Sequence, residues 1–416
     1  MKFLRVDAVG SQVYQNHFLN GYDLYSGGQF KDTIYFCNGA HYNSIEGAAD
    51  SHVFYFTENG DSLTTQIYNL AFNDRIHDLH LKADSTFIAY GFYTDTIPAE
   101  RKPFIANIDT NGNTLWFQTH SRLNHDAEIK NMQPTSDGGY VFSGTEEETP
   151  SGHTDLFLTK VDSIGNLVWK QYYHELLSQR GGHVEVLADG NFAMFGTGYH
   201  PLASERAILK INGSTGALIW RRKHGINNLD EGYIVGKELP NGNFICAGTS
   251  VRTYNNMLID DVNLSMLDSA GNLLWSRDYN YHGLGTNEYV KDLIVTSDGG
   301  FAMTGFILNA PGGTGNDVFV LKTDTNGLIT SLNSGFQEVT PDMKVYPNPT
   351  KDFVNVPYVE GLERIEVYDV GGKLLSTSTP LRMTTTIDMP YENGIYILKL
   401  TMQNGEVFSK KVVKER

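Results

Sequence analysis

The chain repeats itself, and a repeat constrains a fold more tightly than composition does. A glycine closing an apolar run recurs at Gly39, Gly91, Gly144, Gly196, Gly248 and Gly305, in steps of 52, 53, 52, 52 and 57 residues. A second series follows it at Gly60, Gly112, Gly165, Gly216, Gly271 and Gly327. Four residues after members of that series stand Trp116, Trp169, Trp220 and Trp275, all the tryptophans of the chain. Four residues before the first-series glycine the side chain is always aromatic: Tyr35, Phe87, Tyr140, Phe192, Phe244 and Phe301. Two before it the residue is always apolar (Cys37, Ala89, Phe142, Met194, Cys246, Met303), and the position between is apolar as well. Apolar side chains on both faces of a period-two segment describe a strand buried inside a stack of sheets.

Asp or Asn stands seven residues before each first-series glycine (Asp32, Asp84, Asp137, Asp189, Asn241, Asp298), a tight-turn signal. Each unit therefore reads as an inner strand, the aromatic strand, a third strand and an outer strand carrying the tryptophan, with no proline expected inside a strand. A period near fifty residues with both faces buried predicts an all-β fold, a β-propeller of four-stranded blades over residues 1–330. The repeat resembles secreted bacterial propeller arrays whose units read roughly DGGY, a hydrophobic run and Gly, then an acidic turn with Gly-Asn and Trp. That resemblance implies a fold and leaves function open.

The N-terminus starts in mid-blade. Phe3-Leu4-Arg5-Val6-Asp7 aligns with Phe157-Leu158-Thr159-Lys160-Val161-Asp162, and Tyr14 falls where Trp169 does. This gives six full repeats and one partial N-terminal one. It predicts that residues before Met1 supply an export signal and at least one hairpin, so that the intact protein has seven or more blades. No apolar run of signal-peptide length opens the chain, and no membrane span is expected.

The net charge of −16 lies wholly in residues 1–340, which hold 22 basic and 38 acidic residues. That sign argues against nucleic acid and anionic membranes as partners. Cys37 and Cys246 fill the same core-facing slot in the first and fifth units, so they are expected apart and unbridged. Thirteen histidines are scattered without zinc spacing, and those such as His77, His120 and His224 read as ordinary loop residues. No nucleophile elbow or phosphate loop appears, so no catalytic or metal-binding residue is assigned.

The crossovers between blades bring acids just before the next inner strand: Asp74, Asp126, Asp230 with Glu231, and Glu288. One reading is a ring of carboxylates holding a ligand, either a hydroxyl-rich glycan or, as the sole cofactor considered, calcium. The other is that each acid caps backbone N–H groups at a blade junction. Arg180-Gly181-Gly182-His183 interrupts the series in the fourth unit.

Residues 331–342 read as a linker, and a new pattern begins after it. Tyr346-Pro347-Asn348-Pro349 leads into a short strand, Ile365 to Asp369 alternates up to a Gly371-Gly372 turn, and further strands follow to Val413. Strand count and length predict a small Ig-like β-sandwich over residues 343–416. The ordered blocks Tyr346-Pro347-Asn348-Pro349, Val367-Tyr368-Asp369 with Gly372-Lys373, and Gly394-Ile395-Tyr396 with Lys410 and Lys411 resemble the type A sorting domain of the type IX secretion system. The resemblance implies the type IX machinery as a partner and a secreted or cell-surface destination. The propeller is then expected to be a non-catalytic binding module for a glycan or protein. The alternatives are an extracellular polysaccharide hydrolase or lyase using acids such as Asp126 and Glu288, or a structural part of a larger cargo.

Overall fold

A computed structural model describes residues 2–6, 12–17, 22–31, 33–43, 48–59, 61–68, 70, 73–94, 100–120, 125–148, 153–173, 179–200, 203–224, 232–254, 257–281, 286–308, 317–330, 336–338, 345–357, 359, 362–381, 384–390, 392–403 and 407–415. They fall into two compact units: Met1–Tyr199 with Ile208–Arg221 and Ser331–Asn333, and His200–Ala207 with Arg222–Thr330 and Ser334–Arg416.

The chain opens on a two-stranded sheet, Lys2–Val6 with Gln12–His17, the half-blade that the repeat predicts. Sheet one follows with Tyr22–Lys31, Ile34–Asn43, Ala48–Thr57 and Ser62–Tyr68. Sheet two has Asp74–Leu81, Phe87–Thr94, Arg101–Ile108 and Thr114–Thr119. Sheet three has Ala127–Pro134, Tyr140–Glu148, His153–Val161 and Leu167–Tyr172. Sheet four has Gln179–Val186, Phe192–His200, Ala203–Ile211 and Leu218–His224. In all four the strands lie side by side in chain order.

Sheet five (Gly232–Glu238, Phe244–Tyr254, Met257–Leu267, Leu273–Tyr281) gains a fifth strand, Phe336–Glu338, on its outer edge. That strand comes from the segment expected to be a plain linker. Sheet six has three strands, Asn287–Val295, Phe301–Leu308 and Asp317–Thr323.

Both faces of the second strands are buried, as the aromatic pattern requires. Ile88, Tyr90 and Ile105 of sheet two form one core with Ile129, Met132, Tyr140, Phe142 and Phe157 of sheet three. Phe87, Ala89 and Phe104, on the other face of sheet two, join Phe36, Val53 and Tyr55 of sheet one. Each such aromatic stabilises the stack by about 1.5–3 kcal/mol through area removed from water.

Two details differ from the sequence reading. The repeated glycine does not end its strand; Phe87–Thr94 runs past Gly91 and Tyr140–Glu148 past Gly144. It faces a β-bulge in the first strand of each sheet, where the extra residue is Tyr25, His77, Lys130, Gly182, Ile234 or Lys291. A Cβ at Gly144 would lie 2.1 Å from the Glu128 carbonyl oxygen and 2.7 Å from Phe157 Cζ, so only glycine fits between bulge and ring. Secondly, Pro103 does sit within a strand, paired with Phe92. The fourth-strand ladder stops at Phe104, so at Pro103 one side is an open edge, where a missing N–H is tolerated.

The C-terminal region packs the pair Phe353–Pro357 and Thr384–Asp388 with a four-stranded sheet ordered Leu374–Ser378, Leu362–Asp369, Gly394–Met402, Val407–Lys414. Val354, Val356, Ile365, Val367, Ile387, Leu398 and Leu400 share its core.

Candidate functional site

The acidic crossover residues take two different registers. Asp126 lies in the capping one: its Oδ1 accepts the Arg101 backbone N–H at 2.7 Å. Asn73 does the same for Ala49 at 3.0 Å, and Asn287 for Asp260 at 2.9 Å. Asp74 and Glu288 lie one residue further along their own strands and are wholly buried. Asp74 Oδ2 accepts the Leu70 N–H at 3.2 Å, and Glu288 accepts the Thr286 hydroxyl. Neither presents a carboxylate to a ligand from solvent. Asp230 and Glu231 lie outside the described residues.

Asp126 belongs to a larger group built on the bulges of sheets one to three. Its carboxylate takes Arg101 Nε at 3.1 and 3.0 Å and Nη2 at 2.6 Å. Arg101 Nη1 reaches Glu128 Oε2 at 2.9 Å, and Lys130 Nζ reaches Glu128 Oε1 at 2.9 Å. The Asp126 hydrogen bonds, with lesser help from Glu128, raise the pKa of the Arg101 guanidinium. The bulge residue His77 sets Nδ1 3.1 Å from the Ile129 carbonyl, with Nε2 3.7 Å from Glu128. Burial depresses the His77 pKa, and Glu128 opposes that in part.

Aromatic faces complete the group. The Tyr25 ring lies 5.7 Å from His77, and His77 meets Phe92 edge-on at 5.3 Å. The guanidinium carbons of Arg75 and Arg101 lie 5.9 and 5.8 Å from the centre of the Phe92 ring. Arg101 and Lys130 keep 42% and 39% of their side chains exposed, so fixed donors are offered beside apolar faces. Such a surface can hold a flat, hydroxyl-rich ligand. Its carboxylates are already occupied by cations, a poor state for proton transfer. Among the described residues no group of three or more His, Cys, Asp or Glu side chains could hold a metal ion.

Of these residues only Asp126 was expected to bind a ligand; His77, expected to be an ordinary loop residue, sits at a bulge inside a strand instead. A second repeated feature also escaped the sequence reading. Four residues after the tryptophan position stand Tyr68, His120, Tyr173, His224 and Tyr279, and each bonds a turn carbonyl of the next sheet. The acceptors are Asp109 at 2.7 Å, Gly165 at 2.8 Å, Gly216 at 2.8 Å, Gly271 at 2.9 Å and Gly327 at 2.5 Å. His120 and His224 are therefore staples between blades, not ordinary loop residues. The tryptophan covers the same turn: a Cβ on Gly165, whose φ is +83°, would lie 2.8 Å from Trp116 Cζ3. The alternation of Tyr and His at one offset was the available signal.

In the C-terminal domain most of the motif residues have structural roles. Asn348 donates to the Lys411 carbonyl at 2.7 Å and accepts the Val413 N–H at 2.9 Å, clasping the last strand. The bonds Tyr346-Pro347 and Asn348-Pro349 are cis. Asp369 Oδ1 accepts the Gly371 and Lys373 N–H groups, each at 2.9 Å, and Gly372 takes φ +82° in that turn. Tyr396 is buried and donates to the Glu392 carbonyl at 2.8 Å. Gly394 opens the strand beside it. Tyr368 and Lys410 are half-buried, while Tyr346 and Lys411 are exposed.

Residues 344–415 match the family described as the secretion system C-terminal sorting domain. No curated protein matches the chain by sequence. Among solved structures, puromycin hydrolase is similar with a TM-score of 0.50 at 12% identity, over 85% of this chain and 54% of the hydrolase. This chain thus spans about half the length of that protein, and the likeness speaks for the fold alone. A Dyadobacter fermentans protein of unknown function reaches 0.45 at 11% identity, covering 72% of this chain and 93% of that one. An exo-beta-1,3-galactanase from Phanerochaete chrysosporium reaches 0.37 at 10%, covering 99% and 92%.

The chain thus carries a type IX sorting domain behind a β-propeller of four-stranded blades, and that tail implies a secreted or cell-surface protein. Among the described residues no helix is long and apolar enough to cross a membrane.

Proposed function

We propose that this chain is a type IX export cargo whose propeller is a non-catalytic binding module for an extracellular glycan, held at the Arg101 group. The observation that carries the reading is the pairing of half-exposed Arg101 with both Asp126 and Glu128 over the face of Phe92. A guanidinium fixed by two carboxylates keeps its orientation without a ligand, so little side-chain entropy is lost when sugar hydroxyls bind. Tyr25 and Phe92 supply faces for the apolar side of a pyranose ring.

The alternative is an extracellular polysaccharide hydrolase or lyase, which needs a carboxylate open to substrate. The burial of Asp74 and Glu288 and the engagement of Asp126 and Glu128 favour binding over catalysis. Calcium enters only through the acidic crossovers, and the same assay tests it.

The experiment is a glycan array probed with the full chain and with Arg101→Met, each with and without calcium, followed by analysis of the sugars. Selective retention of intact glycans by the parent chain, reduced about tenfold or more in the variant, is expected. Equal retention by both, or shortened sugars, overturns the reading.

A further inference from the structure

The export half of the function just proposed, on which this inference rests, requires a surface on the sorting domain that the machinery reads. Asn348, Asp369 and Tyr396 are used internally, in the clasp, the turn and the core. What they leave available is one face of the four-stranded sheet. Ile365, Val367, Tyr396, Leu398 and Leu400 line the opposite, core face.

On the free face the register sets Tyr368 opposite both Leu374 and Ile397. Ile395, two residues before Ile397 on the same strand, shares that face and pairs with Val413 on the last strand, and Val370 stands in the turn that follows Asp369. Three neighbouring strands and the hairpin strand Leu374–Ser378 thus place five apolar side chains together, with Val370 in the turn that leads into the hairpin strand. Val370, Leu374 and Ile395 are 75%, 46% and 42% exposed, and none of them belongs to the core. Solvated antiparallel faces normally carry polar residues at such positions, so this contiguous exception is a marker of contact.

The border of the patch is basic. Lys411 pairs with Ile397, and Lys399 lies two residues along the same strand. Glu366, on this face, lies 3.6 Å from Arg364 and 3.9 Å from Lys399, and the Asp369 carboxylate next to Val370 is engaged by the Gly371 and Lys373 N–H groups. We propose that the Val370–Ile395–Leu374 face docks on a protein of the type IX export machinery whose surface is apolar at its centre and rimmed with carboxylates. An apolar centre ringed by charge of one sign gives affinity through burial and selects its partner through the rim.

The test is export of the full chain, carried behind an N-terminal export signal, from a bacterium with a type IX system, measured as the fraction reaching the medium or cell surface. The variants are V370D with I395D, K411E, L381D and a deletion of residues 343–416. Leu381 is 63% exposed and lies beyond the hairpin strand, which ends at Ser378, so L381D controls for added charge. The expected result is export about tenfold lower or more for V370D/I395D, with unchanged melting, and normal export for L381D. K411E, whose side chain is exposed and whose substitution leaves the apolar patch whole, is expected to reduce export as well; it decides the matter if the double variant melts early. Normal export of K411E, normal export of a stably folded double variant, or an equal loss in L381D overturns the proposal. So does a face that only mediates self-association or binding to anionic vesicles, its variants losing those while exporting normally. If the deletion itself exports normally, the cargo reading fails; if only the deletion blocks export, the cargo reading stands and the docking face falls.

Discussion

Asp74 is the side chain whose replacement should change stability most informatively. It is wholly buried, its Oδ2 accepts one backbone N–H, and its Oδ1 has no hydrogen-bond partner among the described residues. Desolvation, with a smaller repulsion from Asp50, pushes its pKa from 3.8 up to about 7. The sign follows from proton linkage. Below 3.8 the carboxyl is protonated in both states and contributes nothing. Between 3.8 and about 7 the unfolded chain releases the proton while the folded chain keeps it, so stability falls as pH rises. Above that window the loss is constant, at about 4 kcal/mol from 1.36 kcal/mol per pH unit. Asp74→Asn keeps an acceptor for Leu70 and removes the titration. It should therefore raise the melting temperature by several degrees at pH 8 and by much less at pH 4.5. Thermal melts of both chains at the two pH values check this. A variant that is less stable at pH 8, or equally stabilised at both, would refute the reasoning.

Three further outcomes follow from the repeat. Gly144→Ala forces a Cβ to within 2.1 Å of a backbone oxygen, whereas Gly138→Ala meets nothing within 4 Å. Urea titration should show losses of about 3 kcal/mol or more against about 1 kcal/mol for the strained turn alone. Tyr173→Phe removes the donor to the buried Gly216 carbonyl and should cost about 1–3 kcal/mol in the same titration. Burial pushes the Cys37 thiol up to about 12 and holds that of wholly buried Cys246 well above its ordinary range. A thiol reagent at pH 8 should therefore find no fast-reacting cysteine in the folded chain and two after unfolding.

Fold and sorting domain were legible because both are written in local patterns. Aromatic, apolar and glycine positions at fixed offsets specify strands with two buried faces, and Asp-Gly turns specify where those strands reverse. The role of the repeated glycine was not legible, because it depends on a bulge in the preceding strand and a ring in the following one. The crossover acids show the same limit more sharply. Asp126 and Asp74 look alike in sequence, yet one residue of register puts the first beside Arg101 and the second inside the protein. Arg101, His77 and Phe92 meet only through the pairing of strands within a sheet and the stacking of sheets. No spacing along the chain announces such a group. The Tyr and His staples did have a spacing, but alternation between two side chains hides a position that shares only a hydrogen-bond donor.

The most direct test of a glycan site at the Arg101 group is hydrogen exchange across the full chain, with and without a saturating mixture of the arrayed glycans. The account predicts slowed exchange at 75–77, 101–103 and 126–130, where bulges and crossover caps meet. Protection confined to the turns at 137–139 and 163–166, with no change around Arg101, would contradict it.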